Sequence, residues 1–212
     1  MKFFVISDTH GKIDSAVSIY KSLSDIDAVI HLGDSEKDAR ALSVLLDTEI
    51  ISVKGNIDGN NHKEDNVRLL ETSCGRLLLT HGHQLNVKSS LTNLLYLAEE
   101  QNCTAALFGH THLPMNETID GILLLNPGSL SKPAGGMQGS YALLTVSSDG
   151  PKASLHYLQD EKPNLSESAT VPQNSPAVSI SRKENTPHSS EKTKPKIQGG
   201  FLRNILNNSD RL

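Results

Sequence analysis

At 212 residues, with 36% hydrophobic and 21% charged side chains, the chain has the size and make-up of one soluble globular domain plus an appendage. No apolar run approaches the ~20 residues of a membrane span, and two widely separated cysteines, Cys74 and Cys103, argue against a disulfide framework and for a reducing, cytoplasmic interior. The net charge of -4 is uneven: residues 1–160 carry 12 basic and 19 acidic side chains, an acidic body unlike a basic nucleic-acid-binding surface.

The first apolar run, residues 2–7, reads as a buried strand and stops at Asp8-Thr9-His10, too soon for a signal peptide. Apolar residues at Ile13, Ala16, Val17, Tyr20 and Leu23 then recur at helical spacing, with Asp14 or Ser15 near the N-terminus. A second buried strand, 28–32, ends at Gly33-Asp34, and a second helix follows with Ala39, Leu42 and Leu45 on one face. The third strand, 49–53, ends at Gly55-Asn56-Ile57-Asp58-Gly59. This alternation predicts a parallel sheet with helices on its faces, whose chemistry lies at the strands' carboxyl ends.

The second half turns to hairpins. Residues 67–72 and 76–80 pair across a Ser73-Cys74-Gly75 turn, and the second of these strands ends at His81-Gly82-His83. A third helix carries Leu91, Leu94, Leu95 and Ala98, and strand 104–108 delivers Gly109-His110-Thr111-His112. Two more hairpins, 117–126 and 141–158, complete residues 1–158 as one domain: a two-sheet mixed α/β sandwich flanked by helices. From residue 159 to 212, Pro, Ser, Lys and Glu dominate and apolar residues are too few to offset ordering entropy, so a disordered tail is expected. Within it, Phe201, Leu202, Ile205 and Leu206 are spaced for a short apolar helix over 200–207, read as a frayed tail in preference to a docking peptide whose partner the sequence does not name.

The predicted strand ends collect Asp8, His10, Asp34, Asn56, His81, His110 and His112. Seven oxygen and nitrogen donors suit two divalent ions. The mixed carboxylate and imidazole set suits Mn, Fe, Zn or Ni, while Ca would favour all-oxygen ligands. The absence of thiolates argues against a structural zinc site. Taken singly, each residue has a plainer explanation: Asp8 and Asp34 suit helix caps, and Asn56 to Gly59 suits a turn. His31 lies within a strand and reads as packed rather than ligating. His62, His156 and His188 read as surface residues.

Together, Asp8-Thr9-His10, Gly33-Asp34, Gly55-Asn56, His81 and Gly109-His110-Thr111-His112 resemble, in order and separation, the five motif blocks of the calcineurin-like metallophosphoesterases. With Asn126-Pro127-Gly128-Ser129 they resemble the compact YfcE-like phosphodiesterases over residues 1–158. The resemblance implies a four-layer fold and two metal ions. Asp8, His10 and His112 would hold one ion, Asn56, His81 and His110 the other, and Asp34 would bridge them. Ions held ~3.5–4 Å apart share a hydroxide that attacks a small phosphodiester. Many superfamily members place a proton-donating histidine where this chain has Ile57, so activated leaving groups are expected. His83 is a candidate substitute acid, and Asp58 a candidate supporting carboxylate. YfcE-like members often carry an arginine where Ala134 follows Pro133, which puts a phosphate grip by that loop in doubt. A protein-interaction scaffold on the same fold is the alternative, and homo-oligomerisation is open.

Overall fold

The structure, a computed structural model, describes residues 1–59, 66–73 and 75–158. The expectations for Cys74, His62, His188 and the 159–212 tail with its 200–207 helix lie outside those residues. The first sheet is built around β1 (Lys2–Ile6), β2 (Ala28–His31) and β3 (Glu49–Ser52), which run parallel and are joined by α1 (Asp14–Ser22) and α2 (Glu36–Leu45).

The second sheet holds the β4 (Val67–Thr72) and β5 (Gly75–Thr80) hairpin, β6 (Cys103–Leu107), and the β7 (Pro114–Ile119) and β8 (Ile122–Pro127) hairpin; α3 (Thr92–Glu100) precedes β6. Its order is β4-β5-β6-β8-β7, with β5, β6 and β8 parallel. The last hairpin, β9 (Ser140–Ser147) and β10 (Gly150–Tyr157), returns to the first sheet, where β9 runs antiparallel to β1, giving the order β10-β9-β1-β2-β3.

Strand periodicity explains the layering. In β1, Phe3 and Val5 point into the space between the sheets and meet Leu77, Leu79, Ala105, Leu107 and Leu125. Their alternates Phe4 and Ile6 face outward, under Ala16 of α1 and Leu42 of α2. Across the molecule Leu78, Ala106 and Leu124 pack under Leu94, Leu97 and Ala98 of α3. Both faces of the central strands are therefore buried, which is why they read as unbroken apolar runs rather than alternating ones. The result is four layers: helices, sheet, sheet, helix.

One sequence-based detail changes. Leu45 was expected on the buried face of α2, but it is 55% exposed, and Leu46, just past the helix end, takes the interior place at 5%. The chain leaves helical geometry at Leu46, which is extended, so the 3.6-residue period no longer says which residue points inward. No helix among the described residues is long and apolar enough to cross a membrane.

Candidate metal centre

The parallel strands of both sheets end at the same edge of the sandwich, and the loops leaving them converge. β1 leads to Asp8 and His10, β2 to Asp34, β3 to Asn56, β5 to His81, and β6 to His110 and His112. Two groups result. Asp8, His10, Asp34 and His112 each offer an atom within 4.8 Å of the others, and so do Asp34, His81 and His110. Asp34 belongs to both. Asn56 joins the second group, its Oδ1 lying 3.2 Å from His81 Nε2.

Five of these residues sit in the left-handed backbone region: Asp8 (φ 54°), His10 (φ 45°), Asp34 (φ 61°), His110 (φ 64°) and His112 (φ 58°). Each such conformation costs on the order of 1–3 kcal/mol for a non-glycine residue and persists only where surrounding contacts fix it. Those contacts are present. Asp8 Oδ2 accepts from the Ser7 hydroxyl at 2.5 Å and from the His110 N–H at 3.1 Å, while the Asp8 carbonyl accepts from Ser129 Oγ at 2.8 Å. Asp58, one of the sequence candidates, stands outside both groups and holds backbone: its carboxylate accepts from the N–H groups of Gly55 (2.8 Å), Asp34 (3.1 Å) and Glu36 (2.8 Å). Asp34 does not cap α2; the Ser35 side chain does, accepting from the Asp38 N–H. A Cβ at Gly55 would overlap the Asp34 carboxylate and amide, so glycine alone permits the two loops to approach this closely.

The hydrogen bonds also assign the tautomers of two imidazoles. His81 Nδ1 donates to the Leu32 carbonyl at 2.7 Å, which leaves Nε2 facing Asn56 Oδ1, Asp34 Oδ1 and His110 Nδ1, each 3.2 Å away. His112 Nδ1 donates to the Lys132 carbonyl at 2.5 Å, and its Nε2 lies 3.0 Å from Asp8 Oδ1. His10 Nε2, buried and 4.0 Å from Asp8 Oδ1, has no hydrogen-bond partner among the described residues. Protons on Nε2 of His81 and His112 would offset the facing carboxylates, and a divalent cation can take their place. The donor set and the orphaned His10 Nε2 therefore fit divalent metal. The outer ring nitrogens held by backbone carbonyls are a usual feature of such ligands.

Protonation follows the same geometry. Burial works against the Asp8 and Asp34 carboxylates, but His112 and His81 beside them outweigh it and hold both pKa values below the ordinary range. Burial lowers His10, with Lys132 adding to the effect, and pushes His110 down to about 4 with help from His81 and Lys88. Both rings are thereby kept neutral, the form that ligates. His81 is raised, Asp34 and Asp8 overcoming its burial, and His112 is raised through its contact with Asp8.

His83 lies beside the centre, its ring 5.5 Å from that of His81 and 6.1 Å from that of His110, and its buried Nδ1 has no partner among the described residues. Ile57 is 60% exposed, and its N–H donates to Asp34 Oδ1. The structure gives supporting roles to residues that the sequence marks only as packed or as parts of motif blocks. Thr9, His31 and Asp38 form a buried chain of hydrogen bonds behind the Asp8 loop. Asn126 donates to the Gly109 carbonyl and to Thr111 Oγ1. The loop without the arginine has a definite task, since its Lys132 carbonyl and Ala134 N–H both bond His112. The sequence marks Thr9, Thr111 and Asn126 only as members of motif blocks, and gives no sign of the hydrogen bonds they make. His31 is packed, at 1% exposure, and His156 is stacked on Tyr141.

Comparison with known proteins agrees with this geometry. The chain is 36% identical over 150 residues to the probable metallophosphoesterase YsnB of Bacillus subtilis, covering 70% of this chain and 86% of that protein. A solved structure of a predicted phosphoesterase from Streptococcus pneumoniae superposes with a TM-score of 0.60 at 28% identity, over 73% of this chain and 97% of the other. The fold is also that of Vps29 from Entamoeba histolytica, solved with Zn²⁺, with a TM-score of 0.65 at 21% identity over 76% and 95% of the two chains. Residues 1–149 match the calcineurin-like phosphoesterase superfamily domain, and the chain belongs to that superfamily.

Proposed function

We propose that the protein hydrolyses a small phosphodiester with two divalent cations. Asp8, His10 and His112 would hold one and Asn56, His81 and His110 the other, with Asp34 available to both. The observation that carries this reading is the membership of Asp34 in both ligand groups. Bound there, two divalent cations, Mn²⁺ first among the candidates, supply water activation near neutral pH and neutralise charge on phosphate oxygens.

The chain's own residues set the conditions. Asp8 and Asp34 stay ionised down to low pH, so the cations are held by fixed charge. Asn56 contributes a neutral oxygen, which leaves more net positive charge to attract an anionic diester. On the leaving-group side Ile57 has no proton to give. His83, which lies beside the centre, is pushed below its ordinary pKa by burial and by His81, which keeps its proton-donating form scarce near neutral pH. Esters whose alcohol departs without protonation are the best substrates on this account.

The test is hydrolysis of bis-p-nitrophenyl phosphate by chelator-treated protein before and after addition of Mn²⁺, with metal content measured in parallel. Activity should vanish with the metal and return with it. Protein carrying two metal equivalents yet inactive on every diester tried would refute the reading.

A further inference from the structure

A groove of about 550 Å³ opens next to the His110–His112 loop. Its walls come from the segment after His83 (Val87, Lys88, Leu91) and from Phe108, Thr111, Leu113, Pro114 and Met115 around the two imidazoles. That volume lies within the roughly 300–1,000 Å³ of small-molecule sites. The lining is apolar apart from Lys88 and Thr111. The Thr111 hydroxyl is already engaged by Asn126 and by the Leu113 N–H. Lys88 lines the groove and makes no hydrogen bond or ion pair among the described residues. Leu113, directly after a ligand candidate, is left 49% exposed.

Building on the phosphodiesterase reading, we infer that this groove receives one ester arm of the substrate, an apolar group of aryl size, while Lys88 pairs with an anionic phosphate oxygen. Charge complementarity selects this occupant. On the groove side, a phosphate seated between the two ligand groups meets Lys88 and then apolar surface. A sugar or nucleobase arm would leave its polar groups without donors or acceptors there, at a cost in binding.

The experiment compares phenyl p-nitrophenyl phosphate with methyl p-nitrophenyl phosphate, which share a leaving group and differ in the other arm. Full-length Mn²⁺-loaded protein should favour the phenyl ester in kcat/KM by about tenfold or more. Leu113→Gln and, separately, Met115→Gln should bring that ratio close to one. Lys88→Ala should raise KM for both esters by a similar factor. Calorimetric binding of diphenyl phosphate should weaken in all three variants. Equal rates on the two esters, with ratios unmoved by the groove variants, would overturn the inference and assign the groove to the 159–212 segment or a protein partner. Failure to turn over either ester refutes the phosphodiesterase reading instead. Calorimetry then decides the groove by itself, and diphenyl phosphate bound equally by wild type and variants overturns it.

Discussion

Replacing Thr9 with valine keeps the shape of the side chain and removes one hydroxyl from behind the metal centre. That hydroxyl donates to Asp38 Oδ2 at 2.6 Å and accepts from His31 Nε2 at 2.9 Å. The His31 tautomer is fixed from its other side, where the Gly33 N–H donates to Nδ1, so the proton is on Nε2. Burial lowers the His31 pKa further, so the ring stays neutral. Valine leaves a buried imidazole N–H unsatisfied and strips Asp38 Oδ2 of one of its two short bonds, the other coming from the Gly11 N–H at 2.7 Å. An unsatisfied buried donor costs about 1–3 kcal/mol and a bond to a charged acceptor contributes about 1.5–3 kcal/mol, so a loss of roughly 3 kcal/mol is expected. At about 2–4 °C per kcal/mol for a domain of this size, Tm should fall by roughly 6–12 °C.

The functional consequence is larger than the stability loss suggests, because Thr9 separates two ligand candidates, Asp8 and His10, both held at positive φ. With the anchor gone their backbone relaxes, and Mn²⁺ affinity should drop about 10–100-fold. Thermal melts in chelator and Mn²⁺ titration calorimetry measure the two effects separately. Thr9→Ser, which restores the hydroxyl, should recover most of the affinity. A valine variant with wild-type affinity, or a serine variant as impaired as valine, would refute this account of the loop.

Asp34→Asn should leave the circular dichroism spectrum unchanged, reduce bound metal below two equivalents by elemental analysis and lower diester hydrolysis by at least about 100-fold, since one charge serves both ligand groups. Gly55→Ala drives a methyl group into Asp34 and should cost about 1–3 kcal/mol in urea melts, together with lost metal affinity. The Cys103 thiol, pushed up to about 11 by burial, should resist iodoacetamide at pH 8 in the folded protein, as read by mass spectrometry. Because this pKa is raised on folding from about 9, the thiol's contribution to stability is complete below pH 9 and is lost as pH rises toward 11. Wild-type protein should therefore lose roughly 2 kcal/mol over that window relative to Cys103→Ala; parallel pH profiles for the two proteins would contradict the assignment.

The sequence alone carried the framework of this molecule. Apolar runs such as Phe3-Phe4-Val5-Ile6 declare strands buried on both faces, and an abrupt stop at Asp, Asn or His marks the loops that face one edge. Such signals are local, so they survive reading one residue after another. Tertiary structure decided what makes the edge a site. Asp8 is braced by the His110 N–H, 102 residues away, and by the Ser129 hydroxyl, 121 residues away. The left-handed backbone of Asp8, His10, Asp34, His110 and His112 is tolerable only under such bracing. The Thr9–His31–Asp38 chain and the two fixed imidazole tautomers arise in the same way, from groups that meet only once two sheets and their helices have packed. Periodicity reports which face of an element is buried; which polar atoms meet there depends on the partner element, and no stretch of sequence contains both.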